Sequence, residues 1–234
     1  MNIALIGYGR MGKAIEEILV QRGHDVVLKI SRTPLPEELK NIDVAIEFSK
    51  PEYAFENLKV LLENKIATIC GTTGWLDNQE AINKLAISNN TAFLYASNFS
   101  LGVNLFFELN QVLARMMSKY RNEYQINLEE IHHTQKLDAP SGTAITIAEG
   151  IIENTTYNTW SMEENSEEII PIEAKRIENV PGTHIVQYTS DVDTIEISHT
   201  AHSRKGFALG AVIAAEWIWN KEGIFTMKDV LELN

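Results

Sequence analysis

The chain is 234 residues long, with 32 acidic against 20 basic side chains and a formal net charge of -12. That balance excludes a general nucleic-acid binder, which needs a basic footprint, and it leaves any polyanionic ligand to backbone amides and a few placed cations. A composition 44% hydrophobic and 22% charged is that of a folded globular protein, and the single cysteine, Cys70, excludes an intrachain disulfide and fits a reducing compartment.

Ile3-Ala4-Leu5-Ile6 is a continuous apolar run, as expected of a strand buried on both faces of a parallel sheet. It is too short for a signal peptide and lacks a basic leader. Gly7-Tyr8-Gly9-Arg10-Met11-Gly12 follows at once, then Ala14, Ile15, Ile18 and Leu19 at helical spacing, with Gly23 where a helix C-cap would stand. Val26 to Ile30 reads as the next strand, parallel to the first through a right-handed crossover. Further short strands are expected at Val44 to Phe48, Ala67 to Cys70 and Ala92 to Tyr95, separated by helices around Ala54 to Asn64 and Gln79 to Ser88. The link between the second and third strands carries Pro34 and Pro36 and is too short for a full crossover helix. Alternation of this kind predicts an α/β fold, a Rossmann-type doubly wound parallel sheet.

After Asn98 the pattern changes. Leu105, Phe106, Leu109, Val112, Leu113, Met116 and Met117 form a long helical stripe, read as core packing. Strand-like Gln125 to Ile131, a polar loop, a helix from about Ser141, and alternating segments at His184 to Tyr188 and Thr194 to Ser198 predict a second, α+β domain with a mixed sheet. Phe207 to Trp219 is helical again and is expected to return to the first domain. Glu163 to Glu168 reads as a solvated acidic loop. No apolar stretch approaches the ~20 residues needed to cross a bilayer, so a soluble protein with no membrane partner is expected.

The glycine loop lies between a buried strand and a helix, the context a dinucleotide site requires. Gly7 permits the tight turn, Gly9 lets the backbone approach a pyrophosphate, and Gly12 allows close helix–strand packing; the helix N-terminus offers free amides to phosphate. The second strand ends Lys29-Ile30-Ser31-Arg32, with no carboxylate for a ribose 2′-hydroxyl. Arg32 suits a 2′-phosphate better, since guanidinium binds phosphate in a bidentate fork, so NADPH is favoured over NADH, though not exclusively. Gly71-Thr72-Thr73-Gly74 and Ser97-Asn98 end the fourth and fifth predicted strands, where an open parallel sheet collects its ligands. Cys70 reads as a small buried hydrophobe rather than a nucleophile.

Glu130-Ile131-His132-His133-Thr134-Gln135-Lys136-Leu137-Asp138-Ala139-Pro140-Ser141-Gly142-Thr143-Ala144 concentrates two histidines, a lysine and an aspartate in a loop that enters a helix. Ser141 to Thr143 can cap that helix while exposing amides to an anion such as a carboxylate. His132, His133 and Lys136 add cationic charge and proton donors, which fits a small anionic substrate whose reaction consumes a proton. A metal is not expected, because no third ligand stands at HExxH spacing and no CxxC occurs nearby. A Ser–His–Asp hydrolase lacks its GxSxG elbow.

The run His132-His133-x-x-Lys136-x-Asp138-Ala139-Pro140-Ser141-Gly142-Thr143-Ala144 closely resembles the signature of the dihydrodipicolinate reductase family. So do Gly9-Arg10-Met11-Gly12, Gly71-Thr72-Thr73-Gly74 and Asn98-Phe99-Ser100-x-Gly102-Val103-Asn104, in the right order along essentially the whole chain. The resemblance implies a cytoplasmic oxidoreductase of diaminopimelate and lysine biosynthesis that reduces 4-hydroxy-tetrahydrodipicolinate, through dihydrodipicolinate, to tetrahydrodipicolinate with NADPH or NADH. It implies a dinucleotide-binding domain over residues 1–103 and 204–234, and a domain over 104–203 that binds a cyclic dicarboxylate imine and builds a homotetramer. The catalytic roles fall on His132, as proton donor or acceptor, and on Lys136, as proton donor; substrate carboxylate contacts fall on His133, Gly142 and Thr143. Nucleotide contacts fall on Gly7, Tyr8, Gly9, Arg10, Met11 and Gly12, on Gly71, Thr72 and Thr73, and on Ala96, Ser97, Asn98 and Phe99. His199, Arg204 and Phe207 resemble positions near the domain junction. The glycine loop is one residue shorter than the family's usual form, and the second strand lacks the acidic residue many members carry.

Two other readings compete. A dehydrogenase acting on an amino-acid imine explains the glycine loop but not the run from Asp138 to Ala144. A non-catalytic nucleotide sensor leaves His132, His133 and Lys136 unexplained.

Overall fold

The computed structural model describes every residue of the chain except Asn165, Arg204 and Asn234. The described chain forms two compact units, Met1–Asn104 with Arg204–Asn234, and Leu105–Ser203.

The first unit holds strands β1 (Asn2–Ile6), β2 (Asp25–Ile30), β3 (Val44–Glu47), β4 (Ala67–Cys70), β5 (Ala92–Tyr95) and β11 (Gly223–Phe225), and helices α1 (Arg10–Gln21), α2 (Pro51–Glu63), α3 (Gln79–Ser88), α6 (Lys205–Ile218) and α7 (Met227–Val230). The strands make one six-stranded sheet in the order β11-β5-β4-β3-β1-β2, parallel at every described pairing. Alternate side chains of each central strand serve opposite faces. Ile3, Leu5, Val44, Ile46, Ile69 and Leu94 pack on α1 and α6, whereas Ala4, Ile6, Ala45, Cys70 and Phe93 pack on the side of α2 and α3. That double burial is why these strands read as unbroken apolar runs. Each fully buried Leu, Ile or Phe contributes roughly 1.5–3 kcal/mol. Between β2 and β3 stands only a short 3-10 turn, Pro36–Leu39, in place of a crossover helix. β11 had no counterpart in the sequence reading; it is three residues long and is held by pairing with Ala92–Leu94.

The second unit holds most of α4 (Leu101–Met117), then β6 (Gln125–His132), α5 (Gly142–Ile152), β7 (Thr159–Ser161), β8 (Ile169–Arg176), β9 (Gly182–Thr189) and β10 (Thr194–Ala201). Its five-stranded sheet runs β10-β9-β6-β8-β7; β6, β8 and β7 are parallel, while β9 is antiparallel to both its neighbours. One face is covered: Ile126, Leu128, Ile170, Ile172, Val186 and Tyr188 meet Phe106, Ala114 and Met117 of α4 and Ala144, Ile147, Ala148 and Ile151 of α5. The α4 stripe therefore divides. Phe106 and Met117 enter this core, but Leu105, Leu109, Val112 and Met116 are exposed, from 36% to 64%. The reading of the whole stripe as core packing is corrected: its apolar arc is wider than the one face that the sheet and α5 can cover.

Candidate active site

In the second unit the inward row of β6 runs Ile126, Leu128, Glu130, His132, because the period-2 alternation keeps these four on the covered face. The row begins apolar and ends polar. Opposite it on β9, His184 pairs in register with Glu130, and on β8 Arg176 pairs with His132. Glu130 is fully buried, and its neighbours His132 and His184 are nearly so.

The Glu130 carboxylate organises the group. Arg176 Nη2 donates to Oε1 at 3.1 Å, and the Ser141 amide donates to Oε2 at 3.0 Å. His132 Nδ1 lies 3.4 Å and His184 Nε2 lies 3.8 Å from Oε2, within ion-pair reach but outside a formed hydrogen bond. Burial alone would push the carboxyl up. The facing His132 ring, Ser141 and Arg176 outweigh it and hold Glu130 at about 2. His184 is lowered to about 4, first by burial and then by the neighbouring His132. The two imidazoles meet edge to face with ring centroids 5.1 Å apart. Gly182 leaves room for them, since a Cβ there would stand 3.0 Å from His132 Nε2.

Ser141 caps α5. Its Oγ accepts from the Ala144 amide at 3.1 Å and stands 3.2 Å from His184 Nε2. The amides of Gly142 and Thr143, in the first turn, have no intrahelical acceptor, and nothing lies within 4 Å of where a Gly142 Cβ would be. One carboxylate thus reaches both the start of α5 and His132. His133 closes a turn with its carbonyl accepting from the Lys136 amide at 3.0 Å. Lys136 Nζ donates to both oxygens of Asp138, whose carbonyl accepts from Arg176 Nη2 at 2.7 Å.

Glu130, His132 and His184 also form a group able to offer three metal-ligand atoms within 4.8 Å of one another. No third ligand is visible in the sequence, because His184 is 52 positions from His132 in the chain and arrives only through the β6–β9 register. Arg176 already sets a fixed positive charge on the Glu130 carboxylate, which argues against a resident cation beside it. Arg176 and His184 are hidden in the sequence for the same reason, and the run from Glu130 to Ala144 does not by itself show that Glu130 is the centre of the group. His199 rests against Phe106 with ring centroids 6.1 Å apart, Phe207 lies in α6, and Arg204 falls outside the described residues.

In the first unit the predicted nucleotide residues gather at the carboxyl ends of β1, β2, β4 and β5. Each loop departs by bonding to a neighbouring strand: the Gly7 amide donates to Ile30, that of Gly71 to Glu47, and that of Ala96 to Cys70. Gly7 has φ of 98°, and a Cβ there would overlap the Phe48 carbonyl. Gly9 instead faces open space, with nothing within 4 Å of its missing Cβ, which is the cradle a pyrophosphate at the start of α1 requires. Tyr8 donates its amide to Ser31 Oγ at 3.2 Å, and its hydroxyl to Glu16, which also accepts from Lys29. Gly9, Arg10, Thr73 and Ser97 are exposed, whereas Met11 is half-buried and Gly12 packs on Gly7.

Two of the predicted contacts can be made by backbone alone. Thr72 is buried with Oγ1 accepting from the Ser49 amide at 2.8 Å, and Phe99 is core, tilted against Phe48. Asn98 Oδ1 accepts from Ser100 at 2.9 Å and so turns the chain into α4. Arg32, exposed after β2, makes a two-pronged pair with Glu38. Cys70 is buried and donates to Glu47 Oε2 at 3.3 Å; burial, and then Glu47, push its thiol up, so it is no nucleophile.

Two family models match this chain, "Dihydrodipicolinate reductase, N-terminus" over residues 1–99 and "Dihydrodipicolinate reductase, C-terminus" over residues 102–231. A 4-hydroxy-tetrahydrodipicolinate reductase of Christiangramia forsetii is 56% identical over 234 residues, covering 99% of this chain and 98% of that one. Among solved structures, a dipicolinate-bound dihydrodipicolinate reductase from Paenisporosarcina sp. TG-14 superimposes with a TM-score of 0.76 at 22% identity, covering 97% of each chain. An aspartate dehydrogenase from Thermotoga maritima gives 0.50 at 15% identity, covering 96% of this chain and 99% of that one. Both structural likenesses concern the fold.

Proposed function

The chain belongs to the dihydrodipicolinate reductase family, and from that premise we propose how its residues carry the reaction. It is an oxidoreductase that reduces 4-hydroxy-tetrahydrodipicolinate with a nicotinamide cofactor in diaminopimelate and lysine biosynthesis. Residues 1–103 with 204–234 form the dinucleotide-binding domain and 104–203 the substrate domain, within one residue of the two compact units. The open cradle at Gly9 and the exposed loop tops at Arg10, Thr73 and Ser97 support nucleotide binding at the carboxyl end of the sheet.

When bound, the reduced nicotinamide supplies a hydride. The protein must supply a proton and hold the substrate still. The observation that carries this reading is that Glu130 Oε2 lies 3.0 Å from the Ser141 amide and 3.4 Å from His132 Nδ1. A carboxylate held on the Gly142 amide and on the amide and hydroxyl of Thr143 is then brought to the His132 ring. His133 adds a donor, and Lys136 an ammonium that binds a carboxylate or protonates the reduced substrate. His132 assists in proton transfer or in loss of the 4-hydroxyl.

NADPH is the preferred cofactor and NADH the alternative, with Arg32 exchanging Glu38 for a 2′-phosphate. The chain is cytoplasmic and acts as a homotetramer. Assembly through the substrate domain is supported by the exposed apolar row Leu105, Leu109, Val112 and Met116 and by the half-buried outer sheet face bearing Asn127, Glu129, Ile131, Ile185 and Gln187. Among the described residues no helix is long and apolar enough to cross a membrane.

Inhibition kinetics test the anion site. Pyridine-2,6-dicarboxylate should compete with the substrate, and Thr143→Val should weaken it about tenfold, the value of one contact to a charged group. Competition against NADPH alone would move the anion site elsewhere.

A further inference from the structure

We propose that Glu130 is a positioning residue for this reaction: its buried carboxylate holds the His132 imidazole and the first turn of α5 in one register. The proposal deepens the reading of His132 and of the Gly142–Thr143 amides given above and rests on it.

Glu130 occupies an inward position on β6 directly after Ile126 and Leu128, where an apolar side chain would complete the core. A buried ion pair is a poor device for stability, since well-packed apolar residues of the same volume commonly do as well or better. Its geometry serves something else. Four groups from four separate segments converge on the two oxygens: Arg176 from β8 on Oε1, and on Oε2 the Ser141 amide at the start of α5, His132 of β6 and His184 of β9. All four present nitrogen, on both sides of the group, so both oxygens must accept. A glutamine at this position has one acceptor and one donor and can satisfy only one side. Arg176 in turn ties the arrangement to the Lys136 loop through the Asp138 carbonyl. His184 fills the remaining side, between the Ser141 hydroxyl and the carboxylate.

The experiment is a double-mutant cycle of Glu130→Gln and His132→Ala, reading kcat, substrate KM and NADPH Kd. Glu130→Gln alone should lower kcat about 10- to 100-fold, the range of coupling between residues in contact, and leave NADPH Kd within about twofold. In the His132→Ala background the same change should lower kcat by no more than about twofold further, because the imidazole it positions is gone, whereas its effect on substrate KM through the first turn of α5 should persist. Equal losses in both backgrounds, wild-type kcat in Glu130→Gln, or a parallel loss of NADPH affinity would overturn the proposal. His132→Ala by itself tests the underlying reading: wild-type turnover there removes that reading, whereas a large loss there beside wild-type turnover in Glu130→Gln removes the positioning role alone. Arg176→Met leaves the carboxylate in place and removes its outer anchor. It should give the same non-additive pattern at smaller amplitude, and it decides the matter if Glu130→Gln does not fold.

Discussion

Lys136 Nζ lies 2.7 Å from Asp138 Oδ2 and 2.9 Å from Oδ1, so the proposed proton donor is held by an aspartate of its own loop. Binding a dicarboxylate asks this ammonium to share its protons between Asp138 and the substrate. Lys136→Ala and His132→Ala should each lower kcat on the order of 10²–10⁴-fold with little change in cofactor affinity. Lys136→Arg separates charge from acidity. Guanidinium keeps the cation but does not deprotonate, so substrate KM should stay near wild type while kcat remains as low as in the alanine variant. Recovery of kcat in Lys136→Arg would make the lysine a binding charge only.

Acid should destabilise the second unit in two windows. His184 has an ordinary value of 6.5 and a folded value of about 4. Between them the unfolded chain binds a proton that the folded chain refuses, so stability falls as pH falls from 6.5 to 4. Glu130 is held at about 2 against an ordinary 4.5; its contribution is full above 4.5 and is lost as pH falls from there toward 2. Denaturant unfolding between pH 7 and 4 should therefore show a loss of roughly 2–4 kcal/mol that His184→Gln removes. An unchanged slope in that variant would assign the loss to other groups.

On the proposed 2′-phosphate reading, cofactor choice turns on Arg32 and Glu38. Because Glu38 already occupies both prongs of the guanidinium, NADPH preference should be moderate, about ten- to a hundredfold in kcat/KM over NADH. Arg32→Ala should erase most of it by weakening NADPH alone, and Glu38→Gln should increase it by releasing Arg32. Paired kcat/KM values at one salt concentration decide this, since the pair is exposed and screened. Equal or better use of NADH by the wild type would refute the 2′-phosphate role of Arg32.

The cluster of Glu130, His132 and His184 makes a further test direct. With Arg176 and the Ser141 amide on the carboxylate oxygens, dialysis against EDTA should leave kcat unchanged. Loss of activity restored by Zn²⁺ would make the cluster a metal centre.

Much of this was legible in the sequence because the signals are local. Strands buried on both faces read as apolar runs, the glycine loop declares itself between β1 and α1, and the run from His132 to Ala144 keeps its loop-to-helix chemistry in contiguous residues. What escaped is non-local or short. Arg176 and His184 join Glu130 through strand registers 46 and 54 residues distant in the chain. β8, interrupted by Pro171, carries weak alternation, and β11 has three residues. The periodicity of α4 could not say which of its apolar arcs the sheet would cover.

The most direct test of the central claim is NADPH absorbance in a mixture of the purified protein, the upstream synthase, aspartate semialdehyde and pyruvate. The absorbance should fall steadily, and the fall should cease when the synthase or either of its substrates is omitted. No consumption in the complete mixture, or consumption driven instead by the imine formed from oxaloacetate and ammonia, would contradict the account.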